Sequence, residues 1–255
     1  SIFLSASLVC ELFVSGGLGL DVWCLVLVGG AVDLLDLSWL DGHLTEDVKL
    51  LSCVHVSNSL GTINPVKGLC QKARSKGILT LVDGAQSAGH MPIDVQEIDC
   101  DFYTFSSHKL YGPSGVGVLW GRLSILQEMP PFLGGGDMID NVDIENSTYA
   151  DPPHRFEAGT PPIAEVIGFG AAIDFVQLIG MKNIRDHEQK ILKHFTEKLN
   201  EVKELSIIGN SSNKSGVISF LFDGVSCFAY SMQRLSKKYI PILSLIHISE
   251  PTRPY

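Results

Sequence analysis

The chain has 255 residues, enough for one large domain or one and a half. Hydrophobic residues make up 45% and charged residues 18%, so a sizeable buried core is available. The formal net charge of −9 argues against a nucleic-acid partner, which needs a basic face. A small phosphate can still be held by a few well-placed donors.

The first 34 residues are apolar and Gly-rich. Glu11 and Asp21 interrupt the run and no Lys or Arg flanks it. That pattern disfavours both a membrane span and a secretory signal. The segment reads as buried strand and helix, or as sequence foreign to the gene. The six cysteines (Cys10, Cys24, Cys53, Cys70, Cys100 and Cys227) show no C-x-x-C pair, so no metal site is expected. Several sit in apolar runs and are expected to be small buried side chains in a reducing compartment.

From residue 49 the pattern sharpens. Residues 49–56 form a Val- and Leu-rich run, the mark of a strand covered on both faces. Residues 64–77 predict a helix, with Pro65 in its first turn and Gly77 as its stop. Further strands are predicted at 78–84, 101–106 and 115–121. This succession implies an α/β fold with mostly parallel pairing. The stretch 130–162 is polar and Gly-rich with few apolar anchors, as in a lid, an interface element or a disordered loop. Helical spacing returns at 163–180, with Gly180 as a stop, and a charged helix follows over about 182–203. Strands at 205–209 and 216–222 suggest a smaller second unit. Residues 240–255 have no clear period, resemble translated sequencing-adapter sequence, and are expected to lie outside the fold.

In open α/β sheets, ligands collect at the carboxyl ends of the strands. Asn58, Asp83 and Lys109 all follow such ends and should converge on one rim. A lysine at a buried strand end is costly unless its amine is bonded to something. Once its pKa is lowered, a lysine forms a Schiff base with a carbonyl. Ser106 and His108 beside it offer donors to a phosphate. An Asp at a neighbouring strand end can keep a pyridine nitrogen protonated, making the ring an electron sink. Taken singly, Lys109 also reads as a surface lysine in a turn, and Asp83 as a turn Asp capping the next element. The Asp–Lys pair is the combination expected for pyridoxal phosphate.

Four stretches carry a family resemblance: HVSNSLGTINPV (55–66), the long run from LVDGAQSAGH (81–90) through SSHKLYGPSG (106–115) to 121, EMPPFLGGGDMI (128–139) and RFEAGTP (155–161). Over about 49–225 the chain resembles the cysteine desulfurase and selenocysteine lyase branch of the class V aminotransferase family. The resemblance implies the pyridoxal-phosphate-dependent transferase fold type I (aspartate-aminotransferase-like), here incomplete, with helices on both faces of the sheet. It assigns 35–180 to part of the large cofactor-binding domain and 181–239 to part of the small one, leaving 1–34 unassigned and 240–255 as a non-family tail. Lys109 would form the internal aldimine and shuttle protons. Asp83 would bind the pyridine nitrogen and Gln86 the phenolic oxygen, with Ser106 and His108 on the phosphate. Thr160 would reach the phosphate of a neighbouring subunit, implying a homodimer. Asn58 would lie near the ring and the substrate carboxylate. Ser107 stands where the family commonly has Gly, and could crowd the phosphate loop.

Relatives are longer at both ends. They carry a further phosphate-binding turn, a His that stacks on the ring, and a catalytic Cys near a substrate-clamping Arg. None of these is found in this sequence, and Cys227 is not in the Cys motif. The expected substrate is L-cysteine or selenocysteine, with sulfur passing to an acceptor protein for iron–sulfur cluster assembly. No nucleic acid or membrane partner is expected, and the expected location is cytoplasmic, an organellar form being the other option. The chain itself is expected to be an inactive fragment. The rivals are a class V aminotransferase or lyase on the same scaffold, and a non-catalytic fragment or binding module.

Overall fold

The computed structural model describes residues 23–27, 37–209 and 211–222, with side chains for 40–209 and 211–221. The side chains of Cys10, Cys24 and Cys227 and the segment 240–255 lie outside the described set, as does most of 1–34. One part of that apolar opening segment is described: Trp23–Leu27 forms strand β1.

The centre is a five-stranded sheet in the order β1-β2-β3-β4-β5. After β1 come helix α1 (Leu37–His43), β2 (Val48–Val54), α2 (Val66–Ser75), β3 (Leu79–Asp83), α3 (Val95–Ile98), β4 (Phe102–Ser106), β5 (Gly117–Gly121) and α4 (Leu123–Glu128). Strands β1 to β4 are mutually parallel. Strand β5 returns antiparallel to β4, pairing Ser106 with Gly117 and Phe102 with Gly121.

The apolar runs form these strands because both sheet faces are covered. On one face Leu51, Cys53, Val82 and Tyr103 pack with Leu69, Cys70 and Ala73 of α2. On the other, Leu50, Leu81 and Phe102 pack with Ile125, Leu126 and Met129, in and just after α4. Helix α2 buries Val66, Leu69, Cys70 and Ala73, a stripe at helical spacing. Sealing Leu69 completely contributes roughly 2 kcal/mol. The helix ends at Gly77, whose φ of +70° suits glycine and whose amide donates to the Arg74 carbonyl.

The 130–162 stretch has more structure than its composition suggests. Strands β6 (Ile139–Asn141) and β7 (Thr148–Tyr149) pair antiparallel, and Met138 beside them is fully buried. Arg155 staples the stretch by donating from Nε to the Ala150 carbonyl and from Nη1 to the carbonyls of Gln127 and Met129. Helices α5 (Ile163–Ile179) and α6 (Met181–Asn200) follow, bent by 73° at Gly180. Strands β8 (Leu205–Ile208) and β9 (Ser219–Phe222) pair antiparallel, and Leu192 and Ile191 of α6 pack on Ile207, Ile218 and Phe220. Among the described residues no single helix is long and apolar enough to cross a membrane.

Candidate active site

Strands β2, β3 and β4 are adjacent and parallel, so their carboxyl ends lie side by side on one rim. Asp83 is the last residue of β3, in register with Val54 on one side and Thr104 on the other. Its half-buried carboxylate accepts from the Ala85 amide at 2.9 Å, opening the turn that also carries half-buried Gln86. The backbone of this turn is gripped on both sides. The His55 amide donates to the Asp83 carbonyl at 2.8 Å, and the Gly84 amide to the Thr104 carbonyl at 2.7 Å.

Ser106 ends β4, and Ser107–Lys109 form a 3-10 turn. The Ser107 carbonyl accepts from the amides of Leu110 and Gly112, and the Ser107 amide donates to the Val116 carbonyl. Lys109 is half-buried and His108 exposed. The Lys109 carbonyl presses on Gly89, in the stretch after the Asp83 turn. Phe169 of α5 covers the loop from above, meeting Phe105 edge-on at 6.4 Å and lying against Gly112. Among the described residues the Lys109 amine and the Asp83 carboxylate are not paired with each other.

Asn58 follows β2 by four residues and is exposed, its Oδ1 accepting from the Ser59 hydroxyl at 3.2 Å. Six of the seven candidates therefore stand on one rim: Asn58, Asp83, Gln86, Ser106, His108 and Lys109. Thr160 follows none of these strand ends. It lies exposed before α5, next to Gly159, whose amide donates to the Gly136 carbonyl. Two of the motif stretches, 128–139 and 155–161, are thus packed together.

Ser107 is fully buried, and its hydroxyl faces Gly112 with no hydrogen-bond partner among the described residues. Three further polar side chains, outside the motif candidates, lie beneath the rim. His55, Ser87 and Tyr103 are all buried, with Tyr103 Oη 3.0 Å from His55 Nδ1 and 2.7 Å from Ser87 Oγ. Burial lowers the His55 pKa to about 4 and pushes the Tyr103 phenol up, so both are neutral near pH 7. A His and a Tyr inside apolar runs were the available signal, since buried polar groups need partners. At the opposite rim Asp101 takes two bonds from Thr80 and two from Arg74 and Arg122. A shallow cavity of about 410 Å³, lined by Trp120, Arg122 and Asp99, opens there too, away from Lys109.

A sequence description of the aminotransferase class-V family matches residues 14–251. The chain belongs to the class V aminotransferase family. The match takes in most of the two end segments that carry no motif. A probable cysteine desulfurase of Xylella fastidiosa (strain 9a5c) is 49% identical over 190 residues, 74% of this chain and 46% of the relative. The apo structure of a cysteine desulfurase from Thermococcus onnurineus NA1 superposes with a TM-score of 0.73 at 37% identity, covering 80% of this chain and 50% of that one. A mutant of C-DES with glycine covalently linked to its PLP cofactor superposes at 0.70 with 26% identity, covering 81% and 54%. This class V aminotransferase chain thus spans about half the length of the curated relatives it matches. Membership in the class V aminotransferase family implies pyridoxal phosphate as cofactor.

Proposed function

We propose that the protein is part of a pyridoxal-phosphate-dependent cysteine desulfurase. The whole enzyme would convert L-cysteine, or selenocysteine, to L-alanine and pass sulfur to an enzyme cysteine and then to an acceptor protein for iron–sulfur cluster assembly. The observation that carries this reading is that Asp83 and the Lys109 turn leave neighbouring parallel strands at the same rim.

The donor set fits the cofactor's chemistry. A carboxylate for the pyridine nitrogen (Asp83), an amide for the phenolic oxygen (Gln86), a hydroxyl and an imidazole for the phosphate (Ser106 and His108) and an amine for the aldehyde (Lys109) stand together. Bound pyridoxal phosphate supplies an electron sink for charge at the substrate α-carbon. Around it, Lys109 moves the α-proton, Asp83 holds a proton on the ring nitrogen, and Asn58 faces the substrate carboxylate. Thr160 would serve the phosphate of a partner subunit in a homodimer. The reading sets the enzyme in the cytoplasm, or in an organelle, away from membrane and nucleic acid.

The sulfur-accepting nucleophile must be a reactive thiolate. Cys53, Cys70 and Cys100 do not qualify, because burial raises Cys53 strongly, Cys70 to about 11 and Cys100 to about 12. None of these three described cysteines therefore serves as the sulfur-accepting thiolate in this reading.

Borohydride reduction in the presence of pyridoxal phosphate tests the reading. A reduced adduct on the peptide containing Lys109, lost in Lys109→Ala, is expected. Labelling of another lysine, or no adduct, would refute the assignment and favour a non-catalytic fragment.

A further inference from the structure

Asp83 and Gln86 leave one turn, and that turn rests on a buried row of hydrogen bonds. His55 Nδ1 lies 3.0 Å from Tyr103 Oη, Oη lies 2.7 Å from Ser87 Oγ, and Ser87 Oγ lies 3.1 Å from the Gly84 carbonyl oxygen. His55, Tyr103 and Ser87 are 5%, 2% and 0% exposed, so bulk water does not compete for these bonds. Counting protons sets their direction. A carbonyl only accepts, so Ser87 donates its one hydrogen to Gly84. Ser87 must then accept from Tyr103, whose one hydrogen is thereby used. Tyr103 must in turn accept from His55, so the imidazole carries its proton on Nδ1. No other arrangement makes all three bonds.

The tyrosine ring grips the same turn sterically, since a Cβ on Gly84 would lie 2.1 Å from Tyr103 Cε1. The amides of Ser87 and Ala88 converge on the Gly84 carbonyl as well. The carbonyl, the α-carbon and the amide of Gly84 are therefore all held, one residue past Asp83.

We propose that Tyr103, with His55 and Ser87 in line, is a positioning residue that aims the Asp83 carboxylate and the Gln86 amide at the cofactor ring. The cofactor half of this rests on the reading above, in which those two groups face the ring. The Ala85 amide is the built-in reporter, because its acceptor is Asp83 Oδ1.

Tyr103→Phe keeps the ring over Gly84 and removes only Oη. Leu126→Ala, in the cluster on the other sheet face, serves as a control for general loss of stability. In Tyr103→Phe, hydrogen exchange at Ala85 and Gln86 should quicken about tenfold and cofactor dissociation rise by a similar factor, the scale of one hydrogen bond. The pH midpoint of the bound cofactor's visible absorbance should also shift upward, as the ring nitrogen loses its proton-holding partner. Leu126→Ala should change none of these. Equal behaviour of the two variants would overturn the proposal. If the wild-type chain takes up no pyridoxal phosphate, the cofactor reading falls, and exchange decides the positioning role: unchanged exchange in Tyr103→Phe overturns it, and quickening confined to the turn supports it. Should Tyr103→Phe fail to fold, nitrogen-15 NMR of the wild-type His55 ring still decides. A proton on Nδ1 is expected, and one on Nε2 overturns the chain of donors.

Discussion

The backbone carbonyl of Lys109 sits against Gly89 so closely that a Cβ there would lie 2.2 Å from its oxygen. The obstacle is main chain, which cannot rotate aside like a flexible side chain. Gly89→Ala should therefore displace the Lys109 turn and cost about 1–3 kcal/mol, the range for overpacking. Urea unfolding reads the stability loss. The yield of reduced cofactor adduct should fall even though the amine is still present.

His55 makes stability depend on pH. Its folded pKa is about 4 against an ordinary 6.5, because burial disfavours the charged ring. Between those values the unfolded chain binds the proton and the folded chain does not, so stability falls as pH drops from 6.5 to 4. The loss from this residue is on the order of 3 kcal/mol and is complete below the folded value. Urea midpoints across that interval should slope more steeply in wild type than in His55→Gln, and equal slopes would contradict the assignment.

Asp101 carries a buried charge held by four donors: the Thr80 amide and hydroxyl, Arg74 and Arg122. Asp101→Asn removes the charge and leaves the two guanidinium groups sharing only Asp99. Breaking one side of such a pair costs about 3–5 kcal/mol. The urea midpoint should drop accordingly, with cofactor uptake by the remaining folded chain unchanged, since this network lies at the far rim.

The strands and the long helices were legible because burial writes itself into apolar runs and stripes. β2 to β5 all fall on runs marked as strands, and Gly77 and Gly180 stop their helices with φ of +70° and +86°. Strand direction was less legible. Nothing in GVGVLWG distinguishes an antiparallel β5 from a fifth parallel strand, because apolar content does not encode polarity. α3 is only four residues long, too short for a period, although Asp94 caps it by accepting from the Gln96 and Glu97 amides. The rim residues could be found from strand ends alone. The row beneath them could not, since His55 and Tyr103 stand 48 residues apart and meet only across the sheet.

The Ser107 hydroxyl is sealed against Gly112 with no partner among the described residues. A buried, unsatisfied hydroxyl costs about 1–3 kcal/mol. Ser107→Ala should therefore raise stability by roughly 1 kcal/mol after the lost packing of the oxygen is counted, a gain measurable as a higher urea midpoint.

The antiparallel return of β5 has a mechanical result. The Ser106–Gly117 pairing and the Ser107 amide bond to Val116 pin both feet of the segment that bears Lys109. The amine thus hangs from a closed arch whose base cannot spread. Changes in the arch's length would alter how far the lysine reaches while leaving its footing, and the spacing between that footing and the neighbouring Asp83 strand, untouched.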